Sequence, residues 1–285
     1  MKSGHLFSRY DCAMTEKTNF DATITESPSF HKVSIMGVGG ARTTTMHPSC
    51  RARFDMQEQT KTNNQKNRLG RNLPKKANAP LYLASRSPRR RKLLNEVGID
   101  VHIIETGVDD GLLDPGDVSI EQWTLALAYF KAKAGAIRLE ADGKAGVVLG
   151  ADTLIEHRGE IIGQPRNRSH AREILNRLEN EVHHVITGVA IVDLETGRRS
   201  FLCDTARVDV GEFDDENINE YLDTDQWKGK AGAYNLDDRI DAGWPIQYEG
   251  DPGTIMGLPV KRLIPHLADR WGFRPDEEIR KRPTS

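Results

Sequence analysis

Two serines and four arginines crowd into one short stretch, LASRSPRRRKLL at 83–94, where an apolar run gives way to an amphipathic one. Ser85 and Ser87 supply hydroxyls, and Arg89 and Arg90 supply planar forks that match phosphate oxygens. Ser87 followed by Pro88 has the form of an N-cap and first helical residue. A helix N-terminus presents unpaired N–H groups and a partial positive charge, so the stretch can cradle phosphate. The same residues also fit a plain capped helix with solvated arginines, and RRRK imitates a localisation run.

Other residues carry chemistry only in company. Asp152 ends the β-forming run GVVLGAD, and a carboxylate at a strand's C-terminal end faces the crevice where α/β sheets bind ligands. There it can hold a divalent ion or orient water; a turn aspartate fits as well. The pair Asp109-Asp110 reads as a solvated turn or as metal ligands beside Asp152. Lys131 lies beside the apolar stripe of a helix, placed to snorkel or to reach phosphate. Lys230, in KAGAY, is flanked by small residues that admit close approach of a ligand. His183 and His184 are adjacent in a strand and point to opposite faces, which argues against a shared zinc ion.

The elements that must position these groups are legible from Leu81 onward. PLYLAS reads as a buried strand, PRRRKLLNEVG as a helix stopped by Gly98, and DVHIIET as a second strand. SIEQWTLALAYFKAKAGAIRLEA has a capping box at Ser119 and Gln122, and Trp123, Leu127, Phe130, Ala134 and Ile137 recur at helical spacing. TLIEHRGEIIG is a hairpin turning at Arg158-Gly159. NRSHAREILNRLE is a helix capped by Asn167. Two strands follow, joined at Glu195-Thr196-Gly197, then a short acidic helix. GKAGAYNLDD and YEGDPGTIMGLP read as Gly-rich loops, and PVKRLIPHLADRWG as a closing helix. Hairpins interrupt the alternation of strand and helix, which favours a mixed α/β sheet over a purely parallel one.

Charge divides the 285-residue chain. Residues 1–78 hold 13 Lys and Arg against 6 Asp and Glu, whereas the rest holds 27 against 36. The acidic balance of the larger part excludes a general nucleic-acid coat. The first 78 residues have few aliphatics and read as a disordered basic extension, with at most a transient strand at 32–41. Residues 79–272 read as the folded domain and 273–285 as a charged tail. No apolar run is long enough for a membrane span. Cys12, Cys50 and Cys203 form no disulfide or zinc pattern, and a cytoplasmic location is expected.

Taken in order, LASRSPRRRKLL, LAYFKAKA, GADTLIEHRGEIIGQP, HHVITGVAIVD, KAGAY and EGDPGTIMGLPV resemble the Maf family of nucleoside triphosphate pyrophosphatases, over about residues 80–270. The resemblance implies a twisted mixed sheet flanked by helices, with two lobes around a central cleft. It implies hydrolysis of a nucleoside triphosphate to the monophosphate and pyrophosphate with Mg²⁺ or Mn²⁺, a link to nucleotide clearance and cell-division arrest, and a homodimer. By the same resemblance Asp152 is the proton acceptor, with Asp110 beside it at the metal. Ser85, Ser87, Arg89, Arg90, Lys131, Gln164, Lys230 and Asp237 bind substrate. Three positions depart from the family pattern: Asp110 for Glu, Gln164 for Lys and Asp237 for Gln. The last two make the cleft less favourable to polyphosphate by two charges. The wording around Asp152 and Tyr234 is closer to members acting on dTTP and UTP than on 7-methyl-GTP. The rival implied by the departures is a catalytically weak relative that acts by binding nucleotide or a partner.

Overall fold

The structure is a computed structural model that describes residues 21–26, 31–37, 40–46, 79–108 and 115–280. Near the N-terminus, β1 (Asp21–Glu26), β2 (His31–Gly37) and β3 (Gly40–Met46) pair as an antiparallel meander. The sequence suggested no more than a transient strand at 32–41, which spans the β2–β3 hairpin; the alternating Thr, Ile and Val of DATITE and KVSI have the β-branched composition of strands.

The main sheet follows from β4 (Leu81–Ala84), β5 (His102–Ile103), β6 (Val147–His157), β7 (Glu160–Ile162), β8 (Val182–Asp193), β9 (Arg199–Val210) and β10 (Ile246–Glu249). Its order is β10-β9-β8-β6-β4-β5, with β7 folded back on β6. β4 runs parallel to β5 and β6, and all other neighbours are antiparallel, so the sheet is mixed as expected. The second expected strand is much shorter than DVHIIET and comprises His102 and Ile103 alone. The β6–β7 turn has Arg158 and Gly159 both at positive φ, the backbone of a tight two-residue hairpin turn.

Asp152 does not end its strand, contrary to the sequence reading. β6 continues five residues beyond it, to His157. What ends is its parallel partner. β4 pairs with β6 only as far as Ala84 opposite Gly150, and β7 pairs with the same side of β6 only from Ile155. Residues 151–154 lie between the two partners, and that gap sets the floor of a cleft. Crevices at the carboxyl end of parallel strands arise for the same reason.

The helices are α1 (Pro88–Glu96), α2 (Ile120–Ala141), α3 (Arg168–Leu178), α4 (Asp215–Asp223), α5 (Leu236–Asp241), α6 (Pro252–Met256), α7 (Val260–His266) and α8 (Glu277–Arg280). The capping box at Ser119 and Gln122 is formed in both directions, and Asn167 Oδ1 accepts from His170 N. The segment YEGDPGTIMGLP is not a loop throughout, because it holds the last two residues of β10 and the whole of α6. Asp251 caps α6 through Gly253 N and also accepts from Lys261 N, which fixes α7 to it. Residues beyond 272 remain attached: Asp276 N donates to Gly98 O, and α8 packs against α1.

The sheet-facing stripe of α2 differs from the one expected. Ala128, Ala132, Ala136 and Leu139 meet Ala84, Val148 and Ala190, whereas Trp123 and Leu127 pack with Phe130 and Leu154 in a separate cluster. Small side chains at the contact bring the helix backbone close to the strands. A Cβ on Gly150 would lie 2.3 Å from Ala128 O, and one on Gly188 would lie 2.9 Å from Thr124 O. A larger core gathers α3, α4 and residues 227–246 against Ile155 and Val185, and another joins α1, β4 and α7. These two cores are the lobes, and the gap in β6 pairing lies between them. Among the described residues no helix is long and apolar enough to cross a membrane.

Gly150→Ala tests the close approach. The added methyl meets backbone atoms of Ala128 and Ala132 and the Ala132 methyl, none of which can swing aside, so overpacking of about 1–3 kcal/mol is expected. The midpoint of thermal unfolding should fall by several degrees.

Candidate active site

The cleft has a volume of about 850 Å³ and is lined from both lobes. One wall is the β4–α1 junction. Ser87 sits at the N-cap position of α1 with no side-chain bond to the helix, so it does not cap in the way its sequence position suggested. The hydroxyl of Ser85 does related work instead, accepting from Ser87 N at 3.2 Å and from Arg90 Nη1 at 3.1 Å. Both lone pairs of Ser85 are then in use, which leaves its hydrogen for an acceptor in the cleft. The first turn of α1 contains no acidic residue, so its positive end is not offset by a carboxylate of its own.

The two arginines behave differently. Arg90 anchors all three of its nitrogens to protein: Nε to Gly257 O at 2.9 Å, Nη1 to Ser85 Oγ, and Nη2 to Thr153 Oγ1 at 3.0 Å. It is therefore a fixed positive charge tying α1, β6 and the end of α6 together, rather than the open bidentate fork expected. Arg89 reaches across to the other lobe and donates to Asn235 Oδ1 at 3.2 Å. Burial lowers its pKa, opposed by the charges of Asp238 and Tyr221.

The floor is residues 151–154 of β6. Successive side chains of a strand point to opposite faces, and where no strand covers this edge Asp152 and Thr153, on opposite faces, both line the cleft. On one face Lys131 Nζ from α2 donates to Asp152 Oδ1 at 2.5 Å, with both side chains largely buried. On the other, Thr153 meets Arg90. The close seat of α2 at Gly150 is what brings Lys131 within reach.

The far wall is the segment 228–238. A single tight turn at Ala231–Ala233 presents Lys230, whose Nζ lies 4.0 Å from Asp238 Oδ2. Burial lowers the Lys230 pKa, Arg89 adds to the lowering, and Asp238 opposes it. Asn235 Nδ2 donates to Asp238 Oδ2 at 2.6 Å, so Arg89, Asn235, Asp238 and Lys230 form one polar network across the cleft. Tyr221 Oη donates to Ala233 O and steadies the turn from behind. Gly232 N donates to Gly163 O, which ties the turn to the segment carrying Gln164.

Of the residues expected from sequence, Ser85, Ser87, Arg89, Arg90, Lys131, Asp152, Gln164 and Lys230 all line this one cleft. Asp237 does not. Asp237 and Asp238 are adjacent in the first turn of α5, about 100° apart around the helix. Asp237 is turned to solvent and Asp238 toward the cleft. Asp109 and Asp110 lie outside the described residues. The sequence reading missed Arg86, Lys228, Thr153, Asn235 and Asp238. Arg86 stands within LASRSPRRRKLL, Thr153 within GADTLIEHRGEIIGQP and Asn235 and Asp238 within GKAGAYNLDD, whereas Lys228 lies one residue before that loop; cationic neighbours of a phosphate motif were the available signal for Arg86 and Lys228.

His183 and His184 do point apart. His184 pairs with Glu156 at 2.9 Å. His183 is fully buried and its Nε2 shares a hydrogen bond of 2.8 Å with Tyr234 Oη; Tyr234 lines the cleft. Among the described residues no cluster of three or more His, Cys, Asp or Glu side chains could hold a metal ion. The carboxylates lining the cleft are Asp152 and Asp238, hard oxygen donors. That set fits a Mg²⁺ or Mn²⁺ shared with substrate phosphates and water, and it does not fit an ion caged by protein alone.

Fold and site together describe an α/β protein with a deep cationic cleft at a gap in its sheet, built for a polyanionic ligand. The family of Maf-like proteins matches residues 80–270, and the chain belongs to that family. It is similar to the dTTP/UTP pyrophosphatase of Dechloromonas aromatica (strain RCB), with 38% identity over 206 residues, 68% of this chain and 98% of the relative. Similar proteins of the same name occur in Salinibacter ruber (35% identity, 65% of this chain and 87% of the relative) and Alkalilimnicola ehrlichii (37% identity, 63% and 87%).

Burial holds the His183 pKa down at about 3, with the neighbouring His157 and His184 adding to the effect. An unfolded chain binds this proton near pH 6.5, so between about pH 6.5 and 3 the unfolded state carries more protons than the folded one. Stability contributed by neutral His183 is thus present above pH 6.5 and lost as the pH falls toward 3. Urea unfolding across this window should show that slope, and His183→Gln should reduce it.

Proposed function

We propose that the chain is a nucleoside triphosphate pyrophosphatase acting on dTTP and UTP, which hydrolyses the anhydride between the α- and β-phosphates and releases the monophosphate and pyrophosphate. The carrying observation is the charge of the cleft. Arg86, Arg89, Arg90, Lys131, Lys228 and Lys230 line it against only Asp152 and Asp238. An excess of four positive charges lining one cleft suits a triphosphate. The names of the similar proteins support the choice of nucleotide.

In this reading the positive N-terminal end of α1 and the Ser85 hydroxyl face phosphate oxygens. Arg90, already rigid, stabilises the charge that develops on the scissile phosphate without having to reorganise. Arg89 and Lys230 meet the same phosphates from opposite walls. Burial lowers both pKa values, and Arg89 adds to the lowering at Lys230; a polyanion between them favours the charged form of each. Asp152, oriented by Lys131, accepts a proton as water attacks phosphorus; one P–O bond forms, the anhydride P–O bond breaks, and pyrophosphate departs. A divalent ion held by Asp152, with Asp110 a further candidate, and by the phosphates would neutralise charge on the leaving group. Everything required lies in 79–272, so residues 1–78 contribute nothing to turnover.

Incubation with UTP and dTTP, followed by phosphorus NMR, tests this reading. Equal amounts of monophosphate and pyrophosphate are expected, with kcat unchanged in a chain shortened to begin at Ala79. Nucleoside diphosphate with inorganic phosphate, or no turnover, would refute it.

A further inference from the structure

The hydrogen bonds behind Arg90 run in a fixed direction. Thr187 Oγ1, fully buried on β8, donates to Thr254 O at 2.7 Å. A carbonyl only accepts, so the single hydroxyl proton of Thr187 is committed there. The 2.9 Å contact between Thr153 Oγ1 and Thr187 Oγ1 must then run from Thr153 to Thr187. Thr153 has spent its proton in turn, and it can only accept from Arg90 Nη2, as the guanidinium requires. The sequence is Arg90 to Thr153 to Thr187 to Thr254 O, with every proton assigned.

The chain closes on itself. Thr254 belongs to α6, and Gly257 at the end of α6 takes Arg90 Nε directly. Thr254 is held by its own hydroxyl, which donates to Asp204 Oδ2 at 2.5 Å, and Asp204 also accepts from Arg262. The ring therefore registers α1, β6, β8 and α6 against one guanidinium. Hydrogen bonds in such a chain polarise one another.

We propose that Thr187 is a positioning residue for the site. It fixes Thr153 as an acceptor facing the cleft and so locks the Arg90 guanidinium in its phosphate-facing pose. One consequence is chemical. The Thr153 hydroxyl offers no proton to a phosphate oxygen, so phosphate at this wall meets Arg90, and any ligand group seated against Thr153 must itself be a donor. The proposal rests on the triphosphate reading of the cleft.

The test is a double-mutant cycle of Thr187→Val and Thr153→Val, read twice: as kcat/KM for UTP and dTTP, and as calorimetric affinity for inorganic tripolyphosphate. Thr187→Val removes the acceptor that orients the Thr153 hydroxyl, so the Thr153–Arg90 bond that depends on it is weakened and both readouts fall by about tenfold. Thr187→Ser, which keeps the hydroxyl, stays within about threefold of wild type on the same scale. The double variant should be no worse than Thr153→Val alone, because the second change removes a support whose load has gone. If the valine variant fails to fold, Thr187→Ala replaces it in the cycle. Losses that multiply, a Thr187→Ser variant as impaired as Thr187→Val, or a folded Thr187→Val with wild-type affinity would each overturn the proposal. Tripolyphosphate affinity reads it even if the chain turns over no nucleotide, so the two readings fail separately.

Discussion

The close seat of α2 on the sheet governs the rest of the molecule. Where Gly150 and Gly188 lack side chains, the helix backbone comes down onto β6 and β8, and the small residues Ala128, Ala132 and Ala136 fill the contact. Lys131 is carried within 2.5 Å of Asp152 as a result. A buried carboxylate without a partner is costly, and a buried pair tolerates little displacement. The packing of an apolar layer thus sets the geometry of a charged one.

The second determinant is a gap. β6 outruns its parallel neighbour and is taken up again by its own hairpin, which leaves residues 151–154 without a strand partner on that edge. Asp152 uses one face with Lys131, and Thr153 uses the other with Arg90. Two functions are thereby served by consecutive residues, an arrangement closed to a strand with neighbours on both sides. The opposing lobe brings Lys230 and Asp238 up to Arg89, so the cleft is held by a few polar contacts across its width and by apolar cores on either side.

Much of this was legible in the sequence because the information is local. Ser85 through Arg90 announce a helix start rich in donors, Ser119 and Gln122 a capping box, and Arg158-Gly159 a hairpin. Asp152 was found for partly the wrong reason: the apolar run stops there, but the strand does not, since Thr153–His157 continue it through pairing with β8 and β7. What escaped depends on partners distant in the chain. Asp237 and Asp238 are equivalent in the sequence, and only the rotation of α5 sends the second into the cleft. Arg90 reads as an open fork until Gly257 and Thr153 are seen to occupy it. The stripe of α2 was misread because large apolar residues were weighed above the alanines that make the contact.

The account stands on Lys131 and Asp152 acting as one unit. The most direct measurement is kcat for UTP and dTTP in Lys131→Met, Asp152→Asn and the double variant, each confirmed folded by circular dichroism. A positioned base is worth about 10²–10⁴-fold in rate, so Asp152→Asn should lose that much. The double variant should be no slower than the slower single one. Near-wild-type kcat in Asp152→Asn, or two losses that simply multiply, would contradict the account.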